Sequence, residues 1–245
     1  MKKRNYCKRK RPIFNCVRGI LKLVYRKPKF VYLGEELKEG SIILANHMRK
    51  KGPIVYDAYL PVFTAKWGAG EMVGNYSDRW HYLRDIFYMK KRGFSKTKAT
   101  FKATFESIFS PFVYKGLGVI GTYHDARLKT TIETSYDVLA KNTSVLIFPE
   151  NSDNGYLEEL TECFAGFVLL AEKYYREQGK DVPIYPLYFH EKQNLIVVDN
   201  PCYLSEFKEM GLSKKEIAEE IRLKINAMYH KVESGEITRK MAKRK

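Results

Sequence analysis

Nothing in the sequence approaches the ~20 consecutive apolar residues that a bilayer-spanning helix needs. The longest strongly apolar run, Phe164 to Ala171, is too short. A secretory leader is not expected either. The apolar region near the N-terminus is broken by Arg18 and Lys22, and no small-residue cleavage site follows it. Cysteine is sparse and scattered: Cys7, Cys16, Cys163 and Cys202 show neither Cys-x-x-Cys nor Cys/His metal spacing. They read as reduced thiols, and no metal centre or redox pair is expected. There is no internal repeat and no long Gly/Ser/Pro linker, so a single domain is the default. RNP-type, zinc-finger and helix-turn-helix signatures are missing too, so nucleic acid is not the expected partner.

Acidic residues are also in short supply. Against 44 Lys and Arg stand 28 Asp and Glu, a formal net charge of +16 over 245 residues. Such a charge favours an anionic partner and says nothing of fold. It is concentrated at the ends, in Lys2, Lys3, Arg4, Lys8, Arg9, Lys10 and Arg11, and in Arg239, Lys240, Lys243, Arg244 and Lys245. After the first cluster, Ile13, Phe14, Val17, Ile20, Leu21 and Val24 recur at helical spacing, with Arg18, Lys22 and Arg26 between them. A basic amphipathic segment of this kind lies on an anionic membrane surface, each Lys or Arg there contributing roughly 1 kcal/mol. The expected organisation is a membrane-associating segment over 1–28, a globular domain over 29–232 and a basic tail over 233–245. The expected location is cytoplasmic and peripheral (monotopic), at the inner face of a membrane.

Short apolar runs alternate with helical patterns. Strands are expected over 29–33, 41–45, 62–66, 117–122, 144–148, 182–189 and 195–198. Helices are expected over 53–60, with Gly52 as N-cap and Pro53 first, and over 97–109, 131–139 and 160–178. In the second of these Phe101, Phe105, Ile108 and Phe109 are spaced for one face. Residues 76–92 are aromatic and basic without a clean period. Ser213-Lys214-Lys215-Glu216 is a capping box opening a last helix with an Ile217, Ile221, Ile225, Met228 stripe. Alternation of this kind predicts an α/β fold with a mostly parallel, twisted central sheet flanked by helices.

Two of the strands end in ionisable residues. Ser41-Ile42-Ile43-Leu44 runs into Ala45-Asn46-His47, and Ser144-Val145-Leu146-Ile147 into Phe148-Pro149-Glu150. Groups delivered at the C-terminal ends of sheet strands are placed for a binding site at the sheet edge. His47 has the side chain suited to act as a base near neutral pH.

Asn46-His47, Phe148-Pro149-Glu150 and Val182-Pro183-Ile184-Tyr185-Pro186, in that order, resemble the glycerolipid acyltransferases of the lysophosphatidic acid acyltransferase type. That family shows Asn-His-x-x-x-x-Asp, Gly-x-x-x-x-Asp-Arg, Phe-Pro-Glu-Gly-Thr-Arg-Ser and Val-Pro-Ile-x-Pro-Val. The resemblance runs from about residue 42 to 189 and implies a glycerol-phosphate-acyltransferase-like fold. It also implies transfer of an acyl group from a thioester, acyl-CoA or acyl carrier protein as co-substrate, to a hydroxyl of a lysolipid-like acceptor. No cofactor is implied. By position His47 is the base and Glu150 helps build the acceptor site with Phe148 and Pro149. Asn46 supports, and Lys50, Lys51 and Arg127 are the basic residues expected near a phosphate.

The sequence departs from that pattern in three places. Gly52 stands where the family has the aspartate that orients the histidine. Glu150 is followed by Asn151-Ser152-Asp153, and Gly118 to His124 lacks the Asp-Arg pair, although Asp125 and Arg127 follow. In triads, loss of the acid's charge costs about 10⁴ in rate. Asp57 is a poor replacement, five residues and about 7.5 Å further along the helix. Asp125, Asp153 and Glu150 are the other carboxylates, the third-motif region being preferred. Lys66, Trp67 and Glu71 are further candidates for the same cleft. A catalytically weakened, lipid-binding member of the same fold is the alternative expectation.

Overall fold

The structure, a computed structural model, describes residues 6–7, 12–49, 51–151 and 155–242. Lys50, Asp153, the basic residues of the N-terminal cluster and the last three residues lie outside the described residues. The chain opens with α1 (Pro12–Val24), then β1 (Lys29–Tyr32), β2 (Ile42–Ala45), α2 (Lys51–Tyr59) and β3 (Thr64–Ala69). A helical excursion comes next: α3 (Gly70–Val73), α4 (Tyr76–His81), a π-helical stretch (Tyr82–Lys90) and α5 (Lys96–Leu117). The chain continues with β4 (Val119–Thr122), α6 (Leu128–Leu139), β5 (Ser144–Ile147), α7 (Gly166–Gln178), β6 (Ile184–His190) and β7 (Leu195–Val198). It closes with α8 (Leu204–Glu209) and α9 (Lys214–Glu233).

The seven strands form one sheet in the order β1-β7-β6-β2-β5-β3-β4. All pairings are parallel except β6 with β7. Every residue of β2, β5, β6 and β7 is buried, which is why these segments read as unbroken apolar runs, as strands covered on both faces do. β2 pairs with both β5 and β6, so its C-terminal end lies beside the end of β5. That is the crevice where open α/β sheets bind ligands.

Several expectations shift. Helix α7 begins at Gly166, six residues later than the pattern suggested. Pro149 and Asn151 bond across to residues 162 and 164, and Asn226 of α9 bonds both the N–H and C=O of Leu160. Those backbone groups are thereby taken from the helix. The aromatic stretch 76–92 has no clean period because a π-helix turns by more residues than an α-helix; Lys91 N–H accordingly reaches back to Ile86 O at 2.9 Å.

Helix α5 runs eight residues further than expected, straight through Pro111. A proline there leaves the carbonyl of Ser107 without its helical donor. The Arg79 Nε donates to that oxygen at 3.3 Å instead. Among the described residues beyond α9, Ile237 is buried in the core, and Arg239 O accepts from Lys29 Nζ beside β1.

The N-terminal helix is tied to the body by charge. Arg18 Nε lies 3.0 Å from Asp57 on α2, and Lys66 Nζ on β3 lies 2.7 Å from the same carboxylate. Asp57 is buried; Lys66, with Arg18, nonetheless holds its carboxyl below the usual carboxylate range against the upward push of burial. Its role is to anchor α1, so it does not replace the missing orienting acid. Lys66 is enclosed in the same pairing and does not line a cleft.

Candidate active site at the ends of β2 and β5

Two side chains fix the geometry where β2 ends. Asn46 is fully buried, and all three of its contacts are structural. Its Oδ1 accepts from Phe189 N–H at 2.8 Å and Tyr56 Oη at 3.0 Å, while its Nδ2 donates to Phe189 O at 3.1 Å. It is a strut joining the ends of β2 and β6, the supporting position expected for it, and no part of it reaches solvent. Glu150 supplies the second tie. Its Oε1 accepts from the backbone N–H of His47 at 3.0 Å, across 103 residues of sequence.

Beyond His47 the backbone takes an uncommon course. Met48 and Arg49 both lie in the left-handed region, φ 42° and 56°, which side chains disfavour by roughly 1–2 kcal/mol each. This double reversal brings the His47 carbonyl against α2. Helix α2 starts at Lys51, so Gly52 lies in its first turn and is not its N-cap. A Cβ on Gly52 would stand 2.1 Å from His47 O and 2.9 Å from its carbonyl carbon. The glycine is thus required by the backbone path, and an aspartate cannot occupy position 52 in this loop conformation.

Among the described residues no acid orients the imidazole of His47. Its Nδ1 is enclosed and has no side-chain hydrogen-bond partner among the described residues. The Tyr156 ring stacks on it at 4.1 Å between centroids, and Phe148 meets it edge-on at 4.9 Å. Burial lowers its pKa to about 4, the Arg49 backbone opposing and the Lys91 charge adding to the shift. Glu150 moves the other way: burial raises its pKa to about 7, opposed by the bond from His47 N–H. The two groups have exchanged their usual order, so the imidazole is neutral at pH 7 and the carboxyl is poised to titrate there.

The remaining candidates are dispersed. Lys51 Nζ pairs with Glu191 at 3.5 Å and sits over the Phe189 ring. Pro149 is buried, its carbonyl bonded to Phe164 N–H. Arg127 is held by Asp125 at 2.7 Å and stacks on Tyr123. It lines, with Glu71, Asp78, His81 and Tyr82, a cleft of about 460 Å³. Trp67 is not in that cleft; its indole N–H bonds Ser135 Oγ at 2.8 Å.

Tyr82 is in the π-helical stretch and lines that cleft, while Tyr156 stacks on His47. Tyr156, Tyr82 and Lys91 have no sequence signal that marks them. Tyr156 comes six residues after Glu150 of the third motif, and the other two sit in and just after the π-helix.

No protein-family model and no curated protein sequence matches this chain. Among solved structures it is similar to the 1-acyl-sn-glycerophosphate (LPA) acyltransferase PlsC from Thermotoga maritima, with a TM-score of 0.50 and 11% sequence identity. The match covers 90% of this chain and 80% of that one. At so low an identity the likeness speaks for the fold. The mixed α/β sheet expected from the motif order is the architecture found.

Proposed function

We propose that this protein is an acyltransferase that moves a fatty acyl group from a thioester to a hydroxyl of a lysophospholipid-like acceptor. The observation that carries the reading is His47 at the end of β2, tied by its backbone to Glu150 at the end of the adjacent β5, in a fold shared with an LPA acyltransferase. In this reaction the acceptor oxygen attacks the thioester carbonyl while neutral His47 takes its proton. The tetrahedral intermediate then collapses, the C–S bond breaks, and the imidazolium returns the proton to the leaving thiolate. Acyl-CoA or acyl carrier protein is the donor, and no cofactor takes part. Glu150 acts through the backbone it holds. Lys91, near enough to lower the His47 pKa, supplies positive charge where an anionic head or donor phosphate would lie.

The proposal includes an anionic membrane surface, on the cytoplasmic side, as the place where the acceptor is met. Among the described residues no helix is long and apolar enough to cross a membrane. Helix α1 turns Phe14 inward and leaves Ile20, Leu23 and Val24 exposed beside Lys22, which suits a helix lying in an interface.

The unpartnered Nδ1 favours a second reading, a protein of the same fold that binds lipid or acyl thioester with little turnover. One assay decides: thiol release from acyl-CoA and acyl carrier protein across a panel of lysolipids, with His47→Ala beside wild type. Acceptor-dependent release that His47→Ala abolishes is the expected result. No release with any pair, or equal release by the variant, refutes the enzyme reading in favour of the binding protein.

A further inference from the structure

A surface helix ordinarily turns its apolar stripe to the core and its polar face to water. Helix α5 does the reverse. Its inward positions are small, Ala99, Ala103, Ser107 and Ser110. Its outward row is Phe101, Phe105, Ile108 and Phe112, spaced to align along one side, with Phe109 and Val113 next to it. Phe101 is 78% exposed and Phe105 63%. Single exposed apolar residues need no explanation, but a contiguous aromatic row does. The small inner face already lets α5 pack closely, so folding does not call for the phenylalanines.

Charge indicates what covers the row. Helix α5 carries Lys96, Lys98, Lys102 and Lys115 against one acid, Glu106, whose carboxylate accepts from the Tyr88 hydroxyl. The whole chain is +16, so the complementary surface is anionic. An apolar row with a lysine rim is the composition of a helix seated in an anionic lipid interface. The row also adjoins α1: the Phe14 ring lies on Gly116 of α5, where a Cβ would come within 2.1 Å of it.

We propose that the outward face of α5 is a second bilayer-docking surface, separate from the N-terminal segment, with its phenylalanines among the acyl chains and its lysines on anionic headgroups. Membrane binding needs no turnover, so this proposal and the acyl-transfer reading fail by different measurements.

The test is co-sedimentation of the full chain with vesicles of phosphatidylcholine alone or mixed with phosphatidylglycerol. The variant Phe101→Ser/Phe105→Ser/Phe112→Ser is expected to bind the mixed vesicles at least about tenfold more weakly, with circular dichroism and melting unchanged. Lys98→Glu/Lys102→Glu is expected to lose roughly fivefold per lysine on mixed vesicles and little on the neutral ones. This pair also tests the idea if the triple variant does not fold. Wild-type binding retained by both variants, or no wild-type binding at all, overturns the proposal. So does a triple variant that binds vesicles normally but changes from dimer to monomer in light scattering, since the face would then be an interface between copies.

Discussion

Gly52→Ala pits two effects of opposite sign against each other. Glycine inside a helix is ordinarily worse than alanine by roughly 0.5–1 kcal/mol, so propensity alone makes the substitution stabilising. Here the added methyl would sit 2.1 Å from a backbone oxygen, 2.9 Å from its carbon and 3.3 Å from Met48 Cβ. The atom in the way is main chain in a left-handed loop, so no rotamer change relieves it. The loop must move by on the order of 1 Å to restore contact distance. Overpacking of this kind costs about 1–3 kcal/mol, which exceeds the propensity gain.

Thermal and urea unfolding should therefore show Gly52→Ala less stable than wild type, by a net of up to about 2.5 kcal/mol or roughly 10 °C in Tm. The same movement displaces His47 from its bond to Glu150 and should lower thioester turnover by about a hundredfold. Gly52→Asp, which restores the family's acid, should fail as a rescue for the same steric reason. A Gly52→Ala protein that melts higher than wild type, by what helix propensity provides, would refute the close-approach account of this glycine.

Three further outcomes rest on the charges. Glu150 has a raised folded pKa, so its contribution to stability is fully present below about pH 4.5 and lost as pH rises to about 7. His47 has a lowered one, so its contribution is present above about pH 6.5 and lost as pH falls to about 4. Glu150→Gln should thus stabilise the protein at pH 8 by up to about 2–3 kcal/mol and have no such effect at pH 4, measured by urea unfolding; equal effects at both would contradict the shift. In catalysis, the acid limb of kcat/KM should fall near pH 4 if only His47 must be free of its proton, and near pH 7 if Glu150 must also be ionised. A rate that does not change between about pH 4 and about pH 8 is what neither environment allows. Asp57→Asn leaves Lys66 buried without its carboxylate and should cost about 3–5 kcal/mol while freeing α1 to proteolysis near Arg18; unchanged protease sensitivity would remove the anchor.

The parts of this protein that the sequence discloses are those set by short-range pattern. Ile42–Ala45 and Val145–Ile147 are apolar because both faces are covered, and a short run of this kind between turn residues reads as a buried strand. Their ends carry Asn46-His47 and Phe148-Pro149-Glu150, so the α/β class and the candidate residues at the strand ends were legible, as was the capping box at Ser213. The helical spacing of Phe101, Phe105, Ile108 and Phe109 was equally legible, but not which way it faces. Periodicity gives a helix's stripe without its partner.

What only tertiary structure decided depends on contacts between residues far apart in the chain. The Asn46 strut joins it to Phe189, 143 residues on, and Glu150 reaches back 103 residues to His47. Arg79 replaces the donor that Pro111 lacks, 28 residues from the carbonyl it bonds. Gly52 reads as a missing acid in sequence and as a steric necessity in space, because the His47 carbonyl reaches it only through the turn at Met48 and Arg49. The burial that lowers one pKa and raises the other is likewise set by the folded surroundings. Sequence named the residues of this site; the fold decided which of them is neutral, which is a strut and which position admits only glycine.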